Sequence, residues 1–279
     1  MKEKIVQSSL YLVATPIGNL FDISKRAMFV LSNVDVVFCE DTRRTGLLLQ
    51  SLGVDARLNC LHQHNFKEKQ QLVLEQLSLG KSIALVSDAG VPLISDPGHE
   101  LVLKCHAAGY RVIPVSGACA LINAVAASGM CEFGFCFLGF VPAKQKSRLE
   151  FLLTNKNSNL PWVVFESPHR LAAMAEDLAT IYPKDHKVLI AREITKLHEQ
   201  IKLLTVSDFI DFAAKNSKGE IVIVVDKLHQ DLNSIPVEVQ NIIADMRNFC
   251  SDKSIASWVS KLTGIAKNKI NAYLIANQG

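Results

Sequence analysis

The sequence predicts an α/β protein: two α/β domains, 1–117 and 118–228, followed by a small helical domain over 229–279. Three observations predict it. Short β-rich apolar runs alternate with helical patterns through the first part, the rhythm of crossover units and a mostly parallel sheet. A second series of runs has uneven connections, one short enough for a hairpin, so its sheet is mixed. The last stretch holds only short amphipathic patterns.

The first strand is LYLVAT (10–15), after which a helical pattern begins near Phe21. VDVVFCE (34–40), RLNCLH (57–62), SIALVSD (82–88) and RVIPV (111–115) complete the first series. Their apolar density suits strands covered on both faces. KQQLVLEQLSLG and GHELVLKCHAAG are the helices between them, the second stopped by Gly109. The second series is FGFCFLGF (133–140), PWVVFES (161–167), KVLIARE (187–193), EQIKLLTV (199–206) and EIVIVV (220–225), with the third and fourth as the hairpin. QDLNSIP (230–236) reads as a polar linker. Three short helices follow, at 237–249, 253–262 and 266–276, with Gly264 between the last two in a helix-turn-helix-like arrangement.

The bulk numbers narrow the function. Over 279 residues, 49% apolar and 20% charged residues describe a folded globular chain rather than a disordered one. No apolar run approaches the roughly 20 residues of a membrane helix. The N-terminal apolar stretch is shorter than the roughly 7–15 residues of a signal core, so the start reads as a mature cytosolic N-terminus. Seven scattered cysteines without C-x-x-C argue against a disulfide framework and a zinc site, and most of them, flanked by apolar residues, read as small buried hydrophobes. His62 and His64 have no further ligand cluster beside them, so no metal is expected. The net charge of +3 is too mild to identify a nucleic-acid partner. The tail from Ser251 carries four lysines and one aspartate, as large an excess as the whole chain.

Ligands of open α/β sheets gather beyond the carboxyl ends of strands. Here those ends carry Thr-Pro-Ile-Gly-Asn-Leu (15–20), Glu-Asp-Thr-Arg-Arg-Thr-Gly (40–46), His-Gln-His-Asn (62–65), Ser-Asp-Ala-Gly-Val-Pro (87–92) with Ser-Asp-Pro-Gly (95–98), and Ser-Gly-Ala-Cys-Ala (116–120). Neither G-x-G-x-x-G nor a P-loop is present, so a backbone phosphate cradle is not indicated. Ala89, Gly90, Gly117, Ala118 and Ala120 allow close approach by a flat or apolar ligand, and Asp88 offers a carboxylate. A ligand with a cationic amino-acid part and an adenosine part would fit. The bland reading of Asp88 is a helix cap or turn residue.

Read together and in order, VATPIGNLFDIS, EDTRRTGLLL, HQHN, ALVSDAGVPLISDPG, GFVPAK, FESPHRL and AREITKLHE resemble the small-subunit ribosomal RNA methyltransferases of the tetrapyrrole methylase superfamily. The resemblance spans about residues 9 to 226. It departs after the fifth strand, where the family usually has Pro-Gly-Pro and this chain reads Ser116-Gly117-Ala118. It implies two α/β domains with a cofactor cleft between them, S-adenosyl-L-methionine as cofactor, 2′-O-methylation of a cytidine in small-subunit rRNA or the assembled subunit, and a cytoplasmic homodimer. By motif position it implies cofactor contacts from Ile17, Gly18, Asp88, Ala89, Gly90, Val91, Gly117, Cys119, Ala120, Phe165 and Glu166.

Methyl transfer from a sulfonium asks chiefly for alignment and exclusion of water. A ribose hydroxyl is a poor nucleophile, so a nearby base should help; Asp41, Glu166 and Glu193 are the candidates. Arg43, Arg44, Lys144, Arg170, Lys196, Lys267 and Lys269 are candidate RNA contacts, since guanidinium and ammonium groups meet phosphate. Each has a rival reading. Arg43 and Arg44 would form ion pairs within their loop, while Lys144, Lys146 and Arg148 would be solvated helix charges. Arg170 and Lys196 would join a structural network with Glu166, His169, Arg192 and Glu193, and the tail helices would be a packing module. Two functional alternatives stay open: a methylase of tetrapyrroles or of a protein side chain on the same fold, and a non-catalytic RNA-binding module.

Overall fold

The computed structural model describes residues 4–61, 66–96, 98–228, 235 and 237–277. It contains two compact units, Met1–Lys227 and Leu228–Gly279. The first unit begins with β1 (Ser9–Val13), α1 (Lys25–Asn33), β2 (Val36–Cys39), α2 (Thr42–Ser51), β3 (Leu58–Cys60), α3 (Phe66–Ser78), β4 (Ile83–Val86), α4 (His99–Ala107) and β5 (Arg111–Val115). The strands lie in the order β3-β2-β4-β1-β5, and every pairing is parallel.

Alternation along these strands divides the core in two. Tyr11, Val13, Val37, Cys39, Ala84 and Val86 pack on one face with Ala27, Val30 and Leu31 of α1 and Leu49 of α2. Leu10, Val36, Phe38, Ile83 and Leu85 pack on the other with Val73 and Leu77 of α3 and Leu101 and Cys105 of α4. Covering both faces is what a parallel sheet requires. The helix expected near Phe21 starts later, at Lys25. Asn19 first caps a 3-10 turn, Leu20–Asp22, and Ser24 then caps α1 by accepting from the Ala27 N–H. Side-chain caps compete locally with helix continuation, which separates the two pieces.

The same unit continues through α5 (Ala120–Ser128), β6 (Cys136–Phe140), α6 (Gln145–Lys156), β7 (Trp162–Glu166), α7 (Leu171–Ile181), β8 (Lys187–Arg192), β9 (Gln200–Thr205), α8 (Val206–Lys215) and β10 (Ile221–Val225). The second sheet has the order β6-β7-β10-β8-β9 and is mixed: β6–β7 is parallel and the rest antiparallel. The expected hairpin is β8–β9. One face of this sheet packs Val163, Leu189, Ala191, Val222 and Val224 against Leu121 and Ala124 of α5. Trp162 is buried and donates its indole N–H to the Tyr182 hydroxyl at 3.2 Å.

Two sequence readings need correction. Arg148 is not a solvated helix charge: it is buried and pairs with Asp177 at 2.6 Å, with side-chain exposures of 5% and 6%. It also donates to the Ala143 carbonyl, while Gln145 donates to the second Asp177 oxygen. The helical period brings Arg148 onto the α6 face that meets α7, which charge pattern alone does not reveal. None of the seven cysteines forms a disulfide, and only Cys39 and Cys105 are buried; the others sit at strand ends and in loops, where apolar sequence neighbours do not bury them.

The second unit holds α9 (Val237–Arg247), α10 (Asp252–Thr263) and α11 (Lys267–Ala276). Ile235, Ile243, Ile255, Val259, Ile270 and Leu274 form its core. Gly264 ends α10 at φ +74°, where a left-handed residue closes the helix. Trp258 and Leu262 are exposed, because the inward stripe of α10 runs through Ile255, Ala256 and Val259 instead. Residues 230–234 and 236 of the expected linker, and His62 and His64, lie outside the described residues. Among the described residues no helix is long and apolar enough to cross a membrane.

Candidate functional site

The first loop leaves β1 and crosses towards the second sheet. Thr15 and the Gly90 loop exchange backbone hydrogen bonds of 2.9 and 3.1 Å, which ties the β1 end to the β4 end. Ile17 then packs in the apolar cluster of α5 and the second sheet. Gly18 is backed against the β8–β9 turn: a Cβ there would lie 2.4 Å from Lys196 Cγ and 2.9 Å from Thr195 Oγ1. The lone glycine therefore serves the contact between the two halves. Gly18→Val is expected to lower stability by about 1–3 kcal/mol through overpacking, measured by urea denaturation; an unchanged midpoint would refute that contact. Gly117 is a second close approach, with a Cβ falling 2.8 Å from Ala14 Cβ. The loop reading Ser-Gly-Ala keeps the glycine this packing needs.

A cavity of about 430 Å³ lies between the sheets. Of the sequence-derived cofactor positions, Ile17, Asp88, Ala89, Ala120, Phe165 and Glu166 line it. Gly90 supports it from behind at φ +81°, where a Cβ would come 3.2 Å from Ile17 Cγ2. Gly18, Gly117, Val91 and Cys119 belong to the surrounding loops and are not on its wall. Phe140 and Phe165 form an aromatic edge, their rings 5.5 Å apart. A register shift between Phe137 and Phe140, with Gly139 at φ +70°, turns the end of β6 so that Phe140 joins the wall. Re-aiming a side chain is what such bulges do.

Two carboxylates on this wall are incompletely satisfied. Glu166 ends β7 with its side chain fully buried. Its Oε1 accepts from the Ser167 N–H at 2.6 Å and from Arg170 Nε at 2.8 Å, while its Oε2 is buried without a partner among the described residues. Burial pushes the Glu166 carboxyl up, opposed by those donors. Asp88 pairs through Oδ2 with Arg44 at 2.9 Å, and its Oδ1 is likewise buried and unpartnered. Buried polar atoms are nearly always paired in folded proteins, so two orphans on one cavity wall mark a place built for a polar ligand.

Asp88 also borders an open hollow of about 520 Å³ lined by Glu40, Asp41, Thr42, Arg43, Arg44 and Cys60. Asp41 caps α2, accepting from the Arg43 N–H, and its carboxylate pairs with the Arg43 side chain at 3.0 Å. Hydrogen bonds from Arg43 hold Asp41 down at about 2, which makes it a poor proton acceptor near neutrality. Glu193 sits at φ +53° after β8. It accepts from Lys196 Nζ at 2.9 Å and from the Glu220 N–H at 2.8 Å. Burial opposes its charge, but these donors outweigh burial and keep the carboxyl below its usual range. Glu193 and Lys196 thus form the polar network that rivals their functional reading, with Glu220 as third member.

The candidate RNA cations are dispersed. Arg43 and Arg44 flank the hollow with side chains 89% and 72% exposed, so their ion pairs leave the guanidinium edges accessible. Lys144 is exposed before α6, and Arg170 is half-buried on Glu166. Lys267 and Lys269 lie in the first turn of α11. Sequence reasoning placed Ser95 and Asp96 in a strand-end loop without assigning them a role, and missed Phe140 and Glu220 on the cavity wall. The signal for Asp96 was present: Ser-Asp-Pro-Gly repeats the form of Ser-Asp-Ala-Gly within one loop. Among the described residues no cluster of three or more His, Cys, Asp or Glu could hold a metal ion.

Comparison with known proteins is consistent with this architecture. The Tetrapyrrole (Corrin/Porphyrin) Methylases family matches residues 9–210. The chain is 40% identical over 276 residues to ribosomal RNA small subunit methyltransferase I of Escherichia coli O157:H7, covering 98% of this chain and 96% of the relative. It is 38% identical to the protein of the same name from Vibrio cholerae serotype O1, covering 97% and 95%. Among solved structures it resembles cobalt precorrin-4 methyltransferase (TM-score 0.58, 18% identity, 78% and 95% of the two chains). It also resembles uroporphyrin-III-C-methyltransferase from Thermus thermophilus (TM-score 0.55, 18% identity, 79% and 94%). At that identity the structural likeness speaks for the fold alone.

Proposed function

The chain belongs to the ribosomal RNA small subunit methyltransferase I family of the tetrapyrrole methylases, and from that premise we propose that it methylates the ribose 2′-oxygen of a cytidine in small-subunit rRNA. Members of this family are S-adenosylmethionine-dependent methyltransferases. The observation that carries the reading is the cavity between the sheets, with its aromatic edge and the two unpartnered carboxylate oxygens of Asp88 and Glu166.

The cavity suits S-adenosyl-L-methionine in size, since small-molecule pockets span roughly 300–1,000 Å³. The two free oxygens match a ligand rich in donors, with an ammonium group and ribose hydroxyls. Ile17, Ala89, Ala120 and Phe165 would bound its apolar parts, and Gly90 keeps the wall behind Ile17 open. When bound, the cofactor supplies an electrophilic methyl group on a sulfonium. The work of this chain is to hold that methyl and the ribose oxygen in line and to exclude water. Arg43, Arg44 and Lys144 would meet RNA phosphates. Arg170 and Lys196 would act mainly by positioning Glu166 and Glu193. A protein that acts on ribosomal subunits would work in the cytoplasm. As in the superfamily, we take it to work as a homodimer, which sedimentation would test.

The testing experiment supplies purified protein with tritiated S-adenosylmethionine and either free rRNA or small subunits from cells lacking the gene. Label recovered as 2′-O-methylcytidine supports the proposal and shows which substrate is used. Label in tetrapyrroles or protein, or none despite cofactor binding, contradicts it. Lys267 and Lys269 add a prediction. If both reach phosphate, K267A/K269A should reduce the slope of log affinity against log salt by about 1.4, the single-strand value for two contacts. Calorimetric cofactor binding should be unchanged. An unaltered slope would make the tail a packing module.

A further inference from the structure

The loop joining β4 to α4 carries a second carboxylate beside Asp88. Asp96 lines the cavity together with Asp88 and Glu166. Among the described residues it has no hydrogen bond and no cationic partner, unlike the other three candidate bases. Asp41 is held by Arg43, Glu193 by Lys196 and the Glu220 N–H, and Glu166 by Arg170. The charges around Asp96 are Glu40 at the end of β2 and Asp88 on its own loop, the latter neutralised on one oxygen by Arg44 of α2. Glu166 with Arg170, and Glu220 with Lys196, complete the ionisable rim across the cavity. An acidic cluster alone would signify nothing. Here the same wall also holds Glu166, only 2% exposed and with Oε2 unpartnered, which independently points to a ligand in this space.

Resting on the function proposed above, we infer that Asp96 is the proton acceptor for the ribose hydroxyl. Asp96 takes the 2′-hydroxyl proton as the new oxygen–carbon bond forms and the carbon–sulfur bond breaks with its electron pair left on sulfur. The resulting carboxylic acid returns its proton to water after the products leave. Burial first, and the neighbouring Glu40 and Asp88 charges next, push its carboxyl up to about 6. A base poised close to the working pH is the efficient kind.

The test uses the full chain carrying Asp96→Asn, with Asp96→Glu as the variant that keeps a carboxylate. In single-turnover transfer to small subunits, D96N should lose about 10²–10⁴-fold in rate. Its cofactor dissociation constant by calorimetry should stay within about twofold of the parent. D96E should recover part of the loss, and the parent rate should rise with pH through an inflection near 6 that D96N lacks. Thermal unfolding gives a readout independent of activity. A carboxyl raised from 3.8 to about 6 in the folded state favours folding only while protonated. Its contribution is therefore full below the unfolded value and is lost as pH rises through the folded one. D96N should consequently melt higher than the parent at pH 8, with the gap closing below pH 4. Transfer by D96N within about threefold of the parent, or a melting gap equal at both pH values, overturns the assignment. A parent protein that methylates no small-subunit RNA overturns the proposed function beneath it.

Discussion

Asp88→Ala is expected to weaken S-adenosylmethionine binding by about 10- to 150-fold, the worth of a hydrogen bond to a charged group, roughly 1.5–3 kcal/mol. Asp88 presents Oδ1 unpartnered and buried at the cavity wall while Arg44 holds Oδ2. Removing the carboxylate deletes the ligand contact and leaves behind a 72% exposed Arg44 side chain. An exposed cation left single costs little. The cofactor-free variant should therefore melt at or above the parent temperature, since an unsatisfied buried oxygen has gone. Calorimetric titration measures the affinity and a thermal scan the stability. Affinity within twofold of the parent would remove Asp88 from the site.

Asp177→Ala carries the largest expected cost in stability. It strands the Arg148 guanidinium, whose side chain is 5% exposed, among packed helices. Breaking a buried pair by deleting one partner typically costs about 3–5 kcal/mol, because the remaining charge has neither water nor counter-charge. For a chain of this size, that lowers Tm by on the order of 10 °C. The paired replacement R148M/D177L should regain most of the loss, since buried pairs often exchange for apolar residues of similar volume without penalty. Urea denaturation of the two variants separates the cost of an orphaned charge from the worth of the pair. A single variant as stable as the double would show that Arg148 finds water.

The frame was legible because burial writes itself into apolar runs. VVFC and IALV are buried at every position, as strands between two helical layers must be. The caps Ser24, Asp41 and Ser251 went unread although each is a local feature, a side-chain oxygen accepting from a nearby backbone N–H. Of the cavity wall, Asp88, Ala89 and Ala120 were legible as small or acidic residues beyond strand ends, while Ile17, Phe165 and the cofactor role of Glu166 came from the motif positions of the resemblance. Phe140 reaches it through a bulge at Gly139, and no period of two foretells where a strand will slip. Arg148 reads as a surface charge until the α6–α7 contact is known. Gly18 looks like a fragment of a ligand loop, yet its neighbours are Thr195 and Lys196, far away in sequence. Asp96 acquires its character first from burial and then from Glu40, which follows β2. In each case the missing information is a contact between distant segments, which composition and spacing do not encode.

The central claim, a methyl donor held between the two sheets and directed at a cytidine ribose, is tested most directly in cells. Small-subunit rRNA from a strain lacking the gene, digested to nucleosides and oligonucleotides and resolved by mass spectrometry, should lack 2′-O-methylation at a cytidine. The parent gene should restore it, and D88A should restore it poorly at matched protein level. An rRNA modification pattern identical with and without the gene would contradict the account.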